Sequence, residues 1–308
     1  MIWVSWRQQR TETIIGAAIL VALAALLIPS GINMASAYHD AHLGSCLGAH
    51  ASRACDFQVG SFVQRFEGIA NLIAWFTLVP GLIGVLLAAP FVNPFEQGTY
   101  RLDWTQSISR GNWISRKLGM AVAAALVASL VLTVLIAWWR APLVRLQGRM
   151  DNSAYDSQGI VIFGYTLFAL GLALAIGVLW RRAVPGVLVG FAGYFVGRIF
   201  VDTWLRQRLV PTHSVTWGGR NDPAVLQHAW RISEYPSDAH GNPVDLACLK
   251  VGANPLPGCL RHPPKYMHAI FHPASQFWQL QIMETALFGG LAVLLIAFSA
   301  WWTLRRAA

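Results

Sequence analysis

Six long apolar segments alternate with shorter polar ones along the chain. A helix rises about 1.5 Å per residue, so a hydrocarbon core of about 30 Å needs about 20 apolar residues to be crossed. The pattern therefore predicts an all-α polytopic membrane protein with six transmembrane helices. We expect these helices at residues 13–36, 68–92, 118–139, 159–180, 187–205 and 277–303.

The polar segments predict how the rest of the chain is organised. Residues 1–12 combine tryptophans with arginines, which is typical of an amphipathic helix in the membrane interface or of a tail with an aromatic anchor. Residues 38–65 have the composition of a polar loop. Residues 206–276 predict a loop-rich extramembrane subdomain with short helices, and residues 304–308 form a short tail.

Composition supports a membrane protein and argues against a nucleic-acid-binding one. Only 12% of the residues are charged, against about 25% in soluble domains. The formal net charge is +9, but the arginines lie at the ends of the apolar segments, where they face anionic lipid. No basic helix or RNA-binding aromatic signature is present, so we expect membrane lipids and no nucleic acid as partners.

The distribution of basic residues predicts the orientation. Six spans place both termini on one side, and the short segments of that side hold ten Lys and Arg against three acids. The opposite short loops hold five basic residues, of which Arg140, Arg145 and Arg149 form one cluster that disagrees with the trend. Because basic residues favour the cytoplasmic side, we predict a multi-pass protein of the bacterial cell membrane with both termini cytoplasmic.

All four cysteines fall on the predicted outer side, in two local pairs. Disulfides form in oxidising compartments, so we predict the bonds Cys46–Cys55 and Cys248–Cys259, with free thiols as the alternative.

The chain lacks the motifs of several enzyme classes. It has no GxxxxGK[ST] loop for nucleotide phosphates, no nucleophile elbow and no HExxH motif. All nine histidines fall on the predicted outer side, but the spacing of His262, His268 and His272 fits no familiar zinc pattern. We therefore predict a protein that is not itself an enzyme and holds no metal.

Three charged residues fall inside or beside the last two spans. Arg198 and Asp202 are four residues apart, so they share a helical face, and Glu284 lies near the start of the sixth span. Charges inside a membrane are costly and are often functional. They are candidates for a polar cluster on a translocation path, and the alternative is that Arg198 and Asp202 reach out to the outer interface.

Residues 95–117 form a long polar segment between the second and third spans, on the predicted cytoplasmic side. Mixed charges alternate there with Trp104 and Trp113. Aromatic and arginine side chains are common anchors at protein interfaces, so this segment predicts a docking site for a soluble partner.

Two runs of residues resemble actinobacterial ABC-2-type transporter permeases. The run that begins at Glu96 resembles the pattern E-x-G-T-x-R-L-x-W-T-Q-S-x-x-R-x-x-W of that group. The run that begins at Phe277 resembles its F-W-x-x-Q-x-x-E-T segment before the last span. The six-span layout and the large segment before the sixth span are also similar.

The resemblance implies a type V exporter-like permease that pairs with a second copy or a homologous permease. Each permease would dock a cytoplasmic ABC ATPase subunit, which holds ATP and Mg, while this chain holds no cofactor. Residues 95–117 would be the coupling helix. The residues that match the motif there are the ATPase-coupling candidates: Glu96, Gly98, Thr99, Arg101, Trp104, Gln106, Arg110 and Trp113.

The implied function is outward transport of a lipid, a peptide or a hydrophobic drug-like molecule. The alternative is a membrane-bound enzyme or a sensor that uses the His-rich external segment.

Overall fold

The computed structural model describes residues 2–47, 53–75, 77–99, 109–150, 155–219, 221–244 and 265–306. Helices account for most of this part of the chain. They are α1 (Ile2–Asp40), α2 (Arg53–Trp75), α3 (Leu78–Glu96), α4 (Arg110–Gln147), α5 (Val161–Trp180), α6 (Ala183–Phe200), α7 (Arg206–Leu209) and α8 (Phe277–Arg306). A π-helical turn, Val201–Leu205, joins α6 to α7.

Six helical segments in the described ranges are long and apolar enough to cross a membrane, as the hydropathy pattern predicts. They are Thr13–Asp40, Leu78–Glu96, Arg110–Gln147, Val161–Trp180, Ala183–Leu209 and Ala274–Arg305. The backbone of residues 2–12 continues the helix of the first span without a break.

The region between the first two spans is more helical than its sequence suggested. Residues 53–65, expected in a loop, belong to α2, and the second span begins at Leu78 instead of near residue 68. Phe62 and Phe66 of α2 are buried in one cluster with apolar side chains of α1 and α4, so α2 packs against those two helices. The predicted disulfide Cys46–Cys55 joins the short 3-10 helix Leu43–Leu47 to α2. Cys248 and Cys259 lie outside the described residues.

Helix α5 lies at the centre of the bundle and contacts α3, α4, α6 and α8. Glycines allow the close approach, because a Cβ atom added at Gly84 of α3 would lie 2.3 Å from the backbone oxygen of Thr166. A Cβ added at Gly190 of α6 would lie 2.8 Å from the Cα of Ala173. A buried hydrogen bond of 2.9 Å from Ser129 Oγ to Thr166 Oγ1 links α4 to α5.

A small antiparallel sheet lies between the fifth and sixth spans, a feature that the sequence analysis did not predict. It consists of β1 (His213–Gly218), β2 (Trp230–Ser237) and β3 (Tyr266–His272) in the order β1-β3-β2. Strand β3 runs almost directly into α8, and β1 follows α7 closely, so the sheet is attached to the bundle at both ends. Five buried apolar side chains fill the junction: Met150, Tyr155, Val210, Phe277 and Leu280.

Candidate functional site

The three charges that the sequence analysis singled out belong to one buried cluster, but two further residues hold it together. The ionic cluster consists of Asp156, Arg198, Asp202, Arg206 and Glu284. It lies at the end of the bundle that carries the sheet, where α3, α5 and α8 begin and the fifth span ends. Arg198 pairs with Asp156 and Asp202 pairs with Arg206, although only four residues separate Arg198 from Asp202.

Arg206 is the centre of the ionic cluster. Its Nε donates to Glu284 Oε2 at 2.9 Å, and its Nη2 donates to Glu284 Oε1 at 3.0 Å. It also forms ion pairs with Asp156 and Asp202. Its side chain is 1% exposed and that of Glu284 is 0% exposed, so this pair is fully removed from solvent. Each partner of such a pair would be costly to bury alone.

Arg198 forms the second half of the ionic cluster. Its Nη2 lies 2.6 Å from Asp156 Oδ2, so Asp156 bridges the two arginines. Its Nη1 donates to the backbone oxygen of Thr77 at 3.0 Å, immediately before α3 begins. Tyr194 donates to the same oxygen at 2.9 Å. The residue before the second span is therefore hydrogen-bonded to the end of the fifth span that carries the ionic cluster.

Two buried tyrosines lie beside the carboxylates, and one of them, Tyr165, is hydrogen-bonded to them. The Tyr165 hydroxyl lies 2.6 Å from Glu284 Oε1 and 3.2 Å from Asp156 Oδ1. Tyr155, which precedes α5, has its pKa raised well above the ordinary value because it is buried, and the charge of Glu284 acts in the same direction. Tyr155 therefore stays protonated and adds no charge to the site.

The charges of the ionic cluster do not cancel. Three carboxylates and two guanidinium groups have a formal net charge of −1 when all are ionised. Asp202 has the most exposed side chain of those involved, at 32%, so the excess charge has a path to solvent. The other four side chains, two carboxylates and two guanidinium groups, are formally neutral together.

The sixth span is joined to the site through residues of its F-W-x-x-Q-x-x-E-T run. Gln281 accepts a hydrogen bond of 3.0 Å from the backbone N–H of Val161, at the start of α5. Its amide nitrogen donates to the backbone oxygen of Tyr155 at 3.2 Å. Glu284 follows one turn later and binds Arg206. These polar residues of the run thus have contacts within the chain.

Sequence reasoning missed Arg206 and Asp156 for different reasons. Arg206 is four residues beyond Asp202, the same spacing that relates Asp202 to Arg198, so helical periodicity could have linked it to these two residues. It was left out because the expected span ended at residue 205. Asp156 lies in a short polar segment with no local signal. Its partner Arg206 is 50 positions away and is found only in the folded chain.

The opposite end of the bundle contains several of the ATPase-coupling candidates. Glu96, the last residue of α3, accepts a hydrogen bond of 2.8 Å at Oε2 from the backbone N–H of Ala183. A carboxylate at this position satisfies one of the unpaired N–H groups at the start of α6 and interacts favourably with the helix dipole. Gly98 has φ +71°, a left-handed conformation that suits glycine just after a helix end, and Thr99 follows it on the surface.

Trp113 and Arg110 lie at the start of α4. The Trp113 ring is 8% exposed and packs against Phe91 and Phe95, with the Lys117 ammonium 4.6 Å from its centre. Trp113 is therefore used inside the bundle, whereas Arg110 is exposed. The other candidates of this run, Arg101, Trp104 and Gln106, lie outside the described residues.

The histidines of the sheet have partners within the chain. His268 lies 2.7 Å from Thr216 Oγ1, and His272 lies 2.8 Å from Gln276 Oε1. In the part of the chain that the structure describes, no group of three or more His, Cys, Asp and Glu is placed to hold a metal ion. His262 is outside that part.

One family model, described as ABC-2 membrane transporter related, matches residues 17–206. The match covers most or all of each of the first five spans and includes every member of the ionic cluster except Glu284. No curated protein matches the chain, and no solved structure does.

Proposed function

Because the chain belongs to the ABC-2 membrane transporter related family, we propose that it is the permease subunit of an ATP-driven exporter. The family makes it a multi-pass membrane subunit of a transporter and not itself an enzyme. Its energy would come from a separate cytoplasmic ABC ATPase that holds ATP and Mg. The transported molecule would be a lipid, a peptide or a hydrophobic drug-like compound, moved outward.

One observation supports this proposal beyond the family match. The fifth span connects the polar segment after α3 to the ionic cluster. At one end of this span, Glu96 binds the first N–H of α6. At the other end, Arg198, Asp202 and Arg206 enter the ionic cluster. The 27 residues of Ala183–Leu209 reach about 40 Å as a helix, which is enough to cross the membrane.

This arrangement supports a route for coupling. A force on residues 95–117 would displace Glu96, and Glu96 would transmit the displacement to the start of α6. Packed helices move as rigid units over small distances, so the same motion would reach the ionic cluster at the far end. In this proposal, residues 95–117 dock the ATPase and a second permease copy completes the transport path.

Co-purification tests the proposal. The chain is expressed in its membrane with a candidate ABC ATPase, and the variant carries Glu96→Ala, Arg101→Ala and Trp104→Ala. We expect the wild-type chain to retain the ATPase and stimulate ATP turnover, and the triple variant to lose both, because these residues lie in or beside the proposed docking segment.

The matched control changes two charged residues of β2 and one that precedes this strand: Arg231→Ala, Glu234→Ala and Asp222→Ala. These residues form a surface ion-pair group at the opposite end of the bundle, so the control should retain the ATPase. Undiminished assembly and ATP turnover in the Glu96, Arg101 and Trp104 variant would rule out this docking site.

A further inference from the structure

The fifth span contains a break in its α-helical hydrogen bonding, next to the ionic cluster. In the π-helical turn Val201–Leu205, the N–H of Arg206 donates to the oxygen of Val201, five residues earlier. An α-helix would use the oxygen four residues earlier, that of Asp202. Single π-helical turns are rare in proteins, and those that do occur are often found at functional sites.

The turn decides which way Arg206 points. In a regular α-helix, residues 198 and 206 would lie about 80° apart around the axis, since each residue turns the helix by about 100°. The π turn absorbs one extra residue, and the difference falls to about 20°. Both arginines therefore face the same side, which lets Asp156 bridge them.

Side chains accompany the irregular backbone around the turn. Thr203 Oγ1 donates to the oxygen of Ile199 at 2.7 Å, and Arg208 Nη1 donates to the oxygen of Trp204. Gln207 Nε2 lies 3.5 Å from the oxygen of Thr203. Thr203, Trp204 and Arg208 are exposed, so these groups can exchange partners without disturbing a packed core.

We propose that the turn Val201–Leu205 is a two-state hinge that closes the ionic cluster in its π form and opens it in an α form. This proposal rests on the proposed function, because the ATP cycle of the partner would drive the change. When the turn converts to α-helix in the full-length chain, the residues after it advance by about 1.5 Å and rotate by about 100° around the helix axis. Arg206 then leaves Asp156 and Glu284, while Arg198 keeps its contact with Asp156.

The motion has a direct consequence for the outer part of the molecule. Arg206–Leu209 is a single helical turn, and β1 begins four residues later at His213. A rotation of α7 therefore moves the sheet as well as the arginine. The end of the bundle that the ionic cluster closes would open on the side of the fifth span.

Deletion of Thr203 tests the hinge, because it removes the extra residue. The shortened span can be α-helical throughout while Arg198 and Arg206 keep the relative direction that they have now. The variant should therefore retain the ionic cluster but lose the second state. Thr203 is exposed, so its loss leaves no cavity.

Two controls accompany the deletion. Thr203→Ala keeps the chain length and the π turn, and it should behave like the wild type. Val196 is an exposed residue in the regular part of α6. Its deletion rotates Arg198 and Arg206 relative to the first part of α6, which packs on the bundle, so it should destroy the ionic cluster. We expect the apparent unfolding temperature of the Thr203 deletion to remain close to that of the wild type and that of the Val196 deletion to fall well below it.

The readout is backbone amide exchange of peptides covering residues 199–209, measured by mass spectrometry on the full chain in lipid nanodiscs. We expect exchange in the wild type and in Thr203→Ala to be about 10-fold faster than in the Thr203 deletion, because each conversion between the π and α forms breaks backbone hydrogen bonds of the turn and exposes their amides in passing. In the complex with the ATPase, ATP should change the exchange of the wild type and leave that of the deletion unchanged.

Several results would overturn the hinge. They are equal exchange in the wild type and the deletion, an ATP response in the deletion equal to that of the wild type, and a Thr203 deletion as unstable as the Val196 deletion. If no ATPase associates with the chain, the proposed function fails, but the comparison of wild type and deletion in the chain alone still decides whether the turn opens.

Discussion

Replacing Arg206 by alanine should be among the most damaging single changes in this chain. The side chain is 1% exposed and has two hydrogen bonds to Glu284, at 2.9 and 3.0 Å, besides its ion pairs with Asp156 and Asp202. Without it, three carboxylates share the site with Arg198 alone. Removing one partner of a buried ion pair costs about 3–5 kcal/mol, because the other partner is left buried and uncompensated.

A loss of this size is large enough to measure. Each kcal/mol shifts the unfolding temperature by about 2–4 °C in proteins of 150–250 residues, so the Arg206→Ala variant should unfold on the order of 10 °C below the wild type. The assay is thermal unfolding of the purified chain in detergent, followed by the fluorescence of its 14 tryptophans.

Arg231→Ala is the matched control. Arg231 also pairs with two carboxylates, Asp222 and Glu234, but its side chain is 35% exposed on the sheet. Exposed ion pairs contribute about 0–1 kcal/mol, so this variant should unfold within about 4 °C of the wild type. Equal losses for the two arginine variants would refute the view that burial makes the ionic cluster structurally important.

A second variant separates charge balance from lost packing. Glu284→Gln in the Arg206→Ala background removes one of the carboxylates that the arginine leaves uncompensated. We expect the double variant to be more stable than the sum of the single losses predicts, by about 0.5–3 kcal/mol, which is the usual coupling of groups in one network. Strict additivity would mean that the two side chains do not interact.

Three further predictions concern other parts of the chain. Glu96→Ala removes the carboxylate that binds the first N–H of α6, and it should lower stability by about 0.5–2 kcal/mol in the same unfolding assay, while Glu96→Gln should lose less because its amide oxygen can still accept. Gly84→Ala places a Cβ 2.3 Å from a backbone oxygen of α5 and should lower the unfolding temperature strongly. In the control Gly193→Ala, the new Cβ meets its nearest atom at 3.5 Å, so this variant should be tolerated. Similar unfolding temperatures for the two variants would contradict the close packing of α3 on α5. Joint replacement of Cys46 and Cys55 by serine should release α2 from the preceding turn and lower the free energy of unfolding by about 3 kcal/mol for a loop of this length. Limited proteolysis should then cleave residues 41–60 faster. An unchanged digest would show that packing alone holds α2.

The sequence by itself determined the membrane class, the number of spans and the family resemblance. Hydropathy is a property of consecutive residues, and a span needs only enough of them in a row, so the six helices follow from local composition. The pairing of Cys46 with Cys55 is also local, since nine positions separate the two residues. The same local information predicted that Arg198 and Asp202 share a helical face, but it did not identify their partners.

The ends of the helices and the pairing of the strands were harder to predict from the sequence. Residues 53–75 are apolar on one side only, and the pattern alone did not separate a helix packed on the bundle from the start of a span. The strands of the sheet are short, and their pairing joins residues more than 30 positions apart, such as Tyr235 with His268. Local propensity carries no information about such pairing.

Only the tertiary structure decided what the charged residues do. Glu96 binds an N–H 87 positions away, and Arg206 binds a carboxylate 78 positions away. The direction of Arg206 depends further on a single extra residue in a π-helical turn, which no periodicity of side chains reveals. The physical reason is the same in each case. A charge in an apolar environment is stable only beside its partner, and the packing of distant helices decides which partner that is.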